Sequence, residues 1–168
     1  PLMFIAYSDG RFDLNGRITR CALGRGGVTE ADVKREGDGC SPIGAWPIRR
    51  LLYRPDKGKP PTALLSEAIK PDDGWCDAPG DPAYNRPVTL PYPASAERMW
   101  RDDAVYDLVV VLGHNDAPVV SGAGSAIFLH IAREGYTPTE GCVALSRPDL
   151  EALLAAAHHD DLIEIRRA

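Results

Sequence analysis

Long apolar runs are missing from this sequence: no window approaches the roughly 18 residues that a membrane-crossing helix requires. The opening PLMFIAYSDG has neither the basic start nor the cleavage pattern of a secretory signal, so any signal peptide is expected to be absent from this chain. Lysine and arginine never run beyond a pair and the net charge is -5, which leaves no basic stripe for nucleic acid. Cysteine is scarce and never spaced C-x-x-C, which removes the zinc-ribbon and thioredoxin-type motifs. The four present are Cys21, Cys40, Cys76 and Cys142; an oxidising compartment would allow one disulfide among the first three, with the pair left open. No internal repeat or linker interrupts the chain.

What is present is the composition of an ordinary globular protein, 44% hydrophobic and 26% charged. A chain of 168 residues is expected to fold as one domain, 1–168, and as a monomer, without help from metals or disulfides. Fifteen prolines and sixteen glycines break it into short runs rich in valine, isoleucine and aromatics, the mark of a mainly β fold. Strands are predicted at 2–7, 17–24, 45–54, 105–113, 125–131, 142–145 and 161–167. One helix should start after Ser146, which can cap it, with Pro148 in the first turn and Leu150, Leu153, Leu154 and Ala157 on one face. A second, short helix is expected in SAERMW, capped by Ser95. TEADVKREG has a helix start but little apolar content and stays undecided. The irregular stretch 54–93 reads as a binding surface rather than a spacer.

Chemistry concentrates between Ser121 and Ser146. His130 lies near the end of the apolar run SAIFLHI, and Cys142 opens the run CVAL after a polar loop. If the two strand ends meet, an imidazole stands beside a thiol, the pairing by which a cysteine nucleophile is activated. The turn Thr139-Glu140-Gly141-Cys142 adds backbone donors, because Gly141 permits a sharp bend that points the amides of Glu140, Gly141 and Cys142 toward one spot. Such an oxyanion hole is worth on the order of 3 kcal/mol of transition-state stabilisation per donor. A buried cysteine and a structural strand histidine are the plain alternative.

These residues resemble the catalytic domain of the L,D-transpeptidases, the YkuD-type family. The family signature of a histidine, a loop and Ser/Thr-x-Gly-Cys before an apolar strand matches His130, Thr139, Glu140, Gly141, Cys142, Val143 and Leu145. The turn Ser41-Pro42-Ile43-Gly44 is similar to the family's Thr-Pro-x-Gly element, and the resemblance runs from about residue 17 to the C-terminus. It implies a β-sandwich of mixed sheets with short packed helices. It also implies an enzyme needing no cofactor that acts on peptidoglycan peptide stems in the periplasm or cell envelope. Cys142 would be the nucleophile and His130 the base, with the Ile131 carbonyl orienting the ring. The arginine that members commonly carry two residues after the cysteine is replaced by Ala144, so a substrate carboxylate must be held elsewhere.

Candidate substrate contacts are Thr139, His114 and Asn115 at the end of an apolar strand, and Arg133, whose planar fork suits a carboxylate. Trp75, Tyr84 and Tyr92 can serve either as a binding wall or as core. His158 and His159 read as a solvated helix end, and Lys34, Arg35, Glu36 and Asp38 as surface charge. Adjacent Asp72 and Asp73 do not suit a glycosidase pair. Three other readings stay open. One is an L,D-carboxypeptidase or endopeptidase on the same stems. The second is a peptidoglycan-binding module without chemistry, favoured if Cys142 is buried. The third is a zinc site built on His130, Cys142, His114 and another cysteine.

Overall fold

A computed structural model describes residues 2–168. In chain order the elements are β1 (Met3–Tyr7), β2 (Arg11–Leu14), β3 (Arg17–Arg20), β4 (Val28–Glu30), β5 (Ser41–Tyr53), β6 (Ser66–Ala68) and β7 (Asp73–Cys76). They continue with β8 (Pro87–Thr89), β9 (Ala96–Arg98), β10 (Leu108–Leu112), β11 (Phe128–Ile131), β12 (Val143–Leu145), α1 (Arg147–Ala156) and β13 (Leu162–Arg166). The fold is mainly β, as the sequence predicts.

The large sheet runs β12-β11-β10-β5-β13-β1-β2-β3, with β4 and β6 also paired to β5. β5 is its axis. Its Gly44–Pro47 stretch pairs with β13 and its Ile48–Tyr53 stretch with β10, so one strand links the two halves of the sheet. Past β3, Ala22 bridges Ala144 within β12, which brings the far end of the path back to its start. The enclosed core joins Phe4, Phe12 and Leu14 from one end to Leu129, Val143 and Leu145 from the other.

β10 explains how the site is layered. Its run LVVVL is buried throughout, as expected of a strand covered on both faces. Leu108, Val110 and Leu112 enter the main core, whereas Val109 and Val111 join Trp75, Met99, Tyr106 and Phe128 on the opposite face. A small sheet of order β8-β7-β9 supplies Trp75 to this second core. The predicted helix is α1: the Ser146 hydroxyl accepts from the Asp149 amide at 3.3 Å, and Leu150, Leu153, Leu154 and Ala157 are fully buried.

Two expectations are corrected. SAERMW is not a helix but contains β9, antiparallel to β7. Six residues bounded by Pro93 and a turn are too few to repay helix nucleation, whereas Glu97 and Met99 alternate inward with period two. Lys34 is not surface charge: it is 2% exposed. Of the two readings left open for Trp75 and Tyr84, the structure shows core, at 5% and 2% exposure.

Candidate functional site

β11 and β12 run parallel, with Leu129 opposite Val143, His130 opposite Ala144 and Ile131 opposite Leu145. Leu129, Ile131, Val143 and Leu145 turn into the main core. Strand alternation sends Phe128, His130, Cys142 and Ala144 to the other face. The thiol thus lies two positions back along the register from the imidazole, and the Phe128 amide approaches Cys142 Sγ at 3.4 Å. Both side chains line a cavity of about 340 Å³.

The imidazole has a defined tautomer. Its Nδ1 is 3.0 Å from the Ile131 carbonyl, which can only accept, so Nδ1 carries the proton and Nε2 keeps its lone pair. Burial, reinforced by the charges of Arg133 and Arg101, pushes His130 down to about 4. The thiol donates to the Ala126 carbonyl at 3.1 Å, and burial with the nearby Glu97 carboxylate pushes it up to about 12. In these surroundings burial favours the neutral form of both groups. Ala126 has φ of 54°, a left-handed conformation that costs a non-glycine residue about 1–2 kcal/mol. Asn85 holds it there: its Oδ1 accepts from the Ala126 amide at 3.0 Å and from Trp75 Nε1 at 2.9 Å.

The turn before the cysteine is fastened from two sides. Thr139 Oγ1 donates to the Cys142 carbonyl at 2.6 Å and accepts from the Gly141 amide at 3.1 Å. Ser41, at the start of β5, donates to the Gly141 carbonyl at 2.7 Å and accepts from the Gly24 amide at 3.0 Å. Gly141 has φ of 144°, and a Cβ there would stand 2.9 Å from the Cys40 carbonyl oxygen, so only glycine fits. The Gly141 amide is engaged by Thr139, which leaves the amides of Glu140 and Cys142 from the expected set. The Glu140 side chain points away to an exposed ion pair with Arg25 at 2.9 Å.

Thr139, Glu140, Gly141, Cys142, His130 and Arg133 all line the cavity, and Ile131 sits directly behind the ring. His114 and Asn115 do not belong to it. His114 packs edge-on against Trp46, with ring centroids 4.8 Å apart, and lines a separate cavity. Asn115 ties down its own loop through the Val120 and Gly124 carbonyls, each at 2.9 Å. The ligands of the zinc reading are therefore divided between two cavities. The four cysteines are free thiols.

Several lining residues escape the sequence reading: Lys34, Asp77, Glu97, Arg101 and Tyr106. Lys34 Nζ is held by Asp38 at 2.6 Å and the Arg35 carbonyl at 2.9 Å. Glu97 accepts from the Tyr106 hydroxyl, and burial raises its carboxyl pKa. The Tyr106 ring meets the His130 ring edge-on at 5.4 Å. The one available signal was the inward alternation of Glu97 and Met99, which the helical reading of SAERMW concealed.

No helix is long and apolar enough to cross a membrane among the described residues. No match is found among the curated proteins compared with this chain. A family model described as the L,D-transpeptidase catalytic domain matches residues 2–165, nearly the whole chain, and takes in β11, β12 and the turn between Thr139 and Cys142. The chain belongs to the L,D-transpeptidase catalytic domain family, YkuD.

Proposed function

We propose that the protein is a cysteine-dependent L,D-transpeptidase that acts on peptidoglycan peptide stems in the cell envelope through a thioester. The observation that carries this reading is the pair of side chains turned into one cavity from adjacent parallel strands, Cys142 and an imidazole whose Nδ1 is fixed on the Ile131 carbonyl. That fixing makes Nε2 the base. The thiol leaves the Ala126 carbonyl and gives its proton to Nε2 as sulfur attacks the stem carbonyl. The amides of Glu140 and Cys142 receive the charge that develops on oxygen. The carbon–nitrogen bond then breaks, and the proton on Nε2 passes to the leaving amine. An acceptor amine, or water, resolves the thioester. Because both groups begin neutral, the proton moves during attack rather than before it, as in general-base catalysis.

A second reading, a peptidoglycan-binding module without chemistry, is favoured by one observation: Cys142 is 8% exposed, with its proton engaged by Ala126. Acylation separates the two. A carbapenem-type β-lactam offers a reactive carbonyl, and intact-mass measurement should show one adduct on the wild type and none on Cys142→Ala. A folded wild type without adduct, or an equal adduct on the variant, leaves only the binding module.

A further inference from the structure

Independently of the chemistry at Cys142, we infer that the protein binds a small carboxylate with a flat apolar body on the guanidinium of Arg50, in a cavity of its own. Strand pairing fixes where that cation goes. Along β5 the ladder slips: Arg50 lies opposite Val111 and Ile48 opposite Leu112, which leaves Arg49 as the extra residue of a bulge. Residues opposite each other in a sheet share a face. Val111 belongs to the second core, as does Leu52, two positions on from Arg50. Arg50 therefore enters the layer between the large and small sheets, where an apolar side chain is expected. Its guanidinium lies 5.9 Å from the centre of the Trp75 ring, and its Nε is buried without a hydrogen-bond partner. A cation–π contact offsets only part of the cost of such a donor.

The surroundings do not neutralise this charge. The cavity that Arg50 lines also takes in Arg49, Arg86 and Asp116. Asp116 is gripped by Arg49, through Nε at 3.0 Å and Nη2 at 3.2 Å. Neither Arg50 nor the exposed Arg86 has an ion-pair partner among the described residues, so the cavity carries two uncompensated positive charges. Its walls include the apolar surfaces of Trp75, Pro87, Val111 and Phe128. It shares only Ile127 with the cavity of Cys142.

The other arginines show which anion fits. Arg49, Arg54, Arg101 and Arg166 each grip a carboxylate side-on through Nε and Nη2, at 2.6–3.2 Å. Arg50 offers the same edge, with Nε buried beside an indole. A planar carboxylate meets that edge with two parallel bonds. The cavity has a volume of about 180 Å³, below the roughly 300–1,000 Å³ of sites for drug-sized ligands. The body behind the carboxylate is therefore small, and the indole and phenyl walls favour a flat one.

Benzoate is the probe, with benzamide as its neutral counterpart and inorganic phosphate as an anion without an apolar body. Titrated into the isotope-labelled protein, benzoate should shift the Trp75 indole N–H and the Val111 and Phe128 amide signals, with a Kd of about 1 mM. Benzamide and phosphate should each bind at least about tenfold more weakly. Arg50→Met keeps a long side chain but removes the charge, and should abolish the shifts. Arg86→Gln, at an exposed position, should weaken binding about threefold, and decides the matter if Arg50→Met does not fold. Benzamide or phosphate binding as well as benzoate overturns the inference, as does undiminished binding in the folded variants. So does a folded wild type whose signals do not move. None of these results touches the enzyme reading, which the acylation of Cys142 decides.

Discussion

At the scale of single residues, the site depends on how a buried thiol is kept protonated. Cys142 donates to a carbonyl, lies near a carboxylate and is removed from water, and each of these holds the proton on sulfur. A thiol pushed up to about 12 is almost wholly protonated across the neutral range. Alkylation of Cys142 by iodoacetamide, followed by peptide mapping, should rise about tenfold per pH unit between roughly pH 7 and 10. A preformed thiolate–imidazolium pair would instead give a plateau below pH 8. Replacing Glu97 with glutamine removes a charge that opposes the thiolate. The whole profile should then shift upward by about tenfold, in keeping with the effect of one like charge at close range. An unchanged profile would mean that Glu97 does not act on the sulfur.

At the scale of elements, the two strands that carry the pair were legible in the sequence because both end in a chemical signal, His130 in FLHI and Cys142 before VAL. Their parallel pairing was not, since alternation reveals a strand's faces but not its neighbour. α1 was legible through Ser146 and its leucine stripe. β9 was misread because three residues with a plausible cap look the same whether they coil or extend; pairing with β7 decides it. The reach of Glu97 and Arg101 into the cavity depends on that long-range pairing, and Lys34 enters it from the loop between β4 and β5; no local pattern records either. The same logic accounts for Ala144. Its amide and carbonyl both bond to Ala22 at 2.9 Å, where the sheet path closes, and its side chain has no room to extend. Ala144→Arg, which restores the residue common in the family, is expected to destabilise the fold by about 3–5 kcal/mol through an unpaired buried charge. It should not raise donor turnover. Urea unfolding together with leaving-group release tests both; a stable variant with faster release would place the substrate carboxylate beside β12 after all.

At the scale of the whole molecule, the fold couples its stability to acidity through two buried histidines in separate cavities. Burial lowers both His130 and His114 to about 4. Lys34 adds to the effect at His114 and Asp116 opposes it, while Arg133 and Arg101 add to it at His130 and Asp103 opposes it. An unfolded imidazole titrates near 6.5, so between roughly pH 6.5 and 4 the unfolded chain binds protons that the folded chain refuses. Stability therefore rises with pH across that window and is lost on acidification, by on the order of 3 kcal/mol for each histidine. Carboxyls raised by burial, Glu97 and Asp107, work in the opposite sense. Asp103, held down to about 2, loses its contribution only at lower pH. A difference measurement isolates the histidine. The Nδ1 of His114 is buried without a hydrogen-bond partner, so His114→Phe removes an unsatisfied polar atom while keeping a flat ring against Trp46. Urea unfolding at pH 7 and pH 4.5 should show the variant losing about 2–3 kcal/mol less than the wild type. Because His114 lies outside the cavity of Cys142, the acylation of Cys142 at pH 7 serves as the control that the site has kept its form. Equal acid sensitivity in the two proteins would show that His114 is protonated in the fold, and that the cavity beside Trp46 admits the charge.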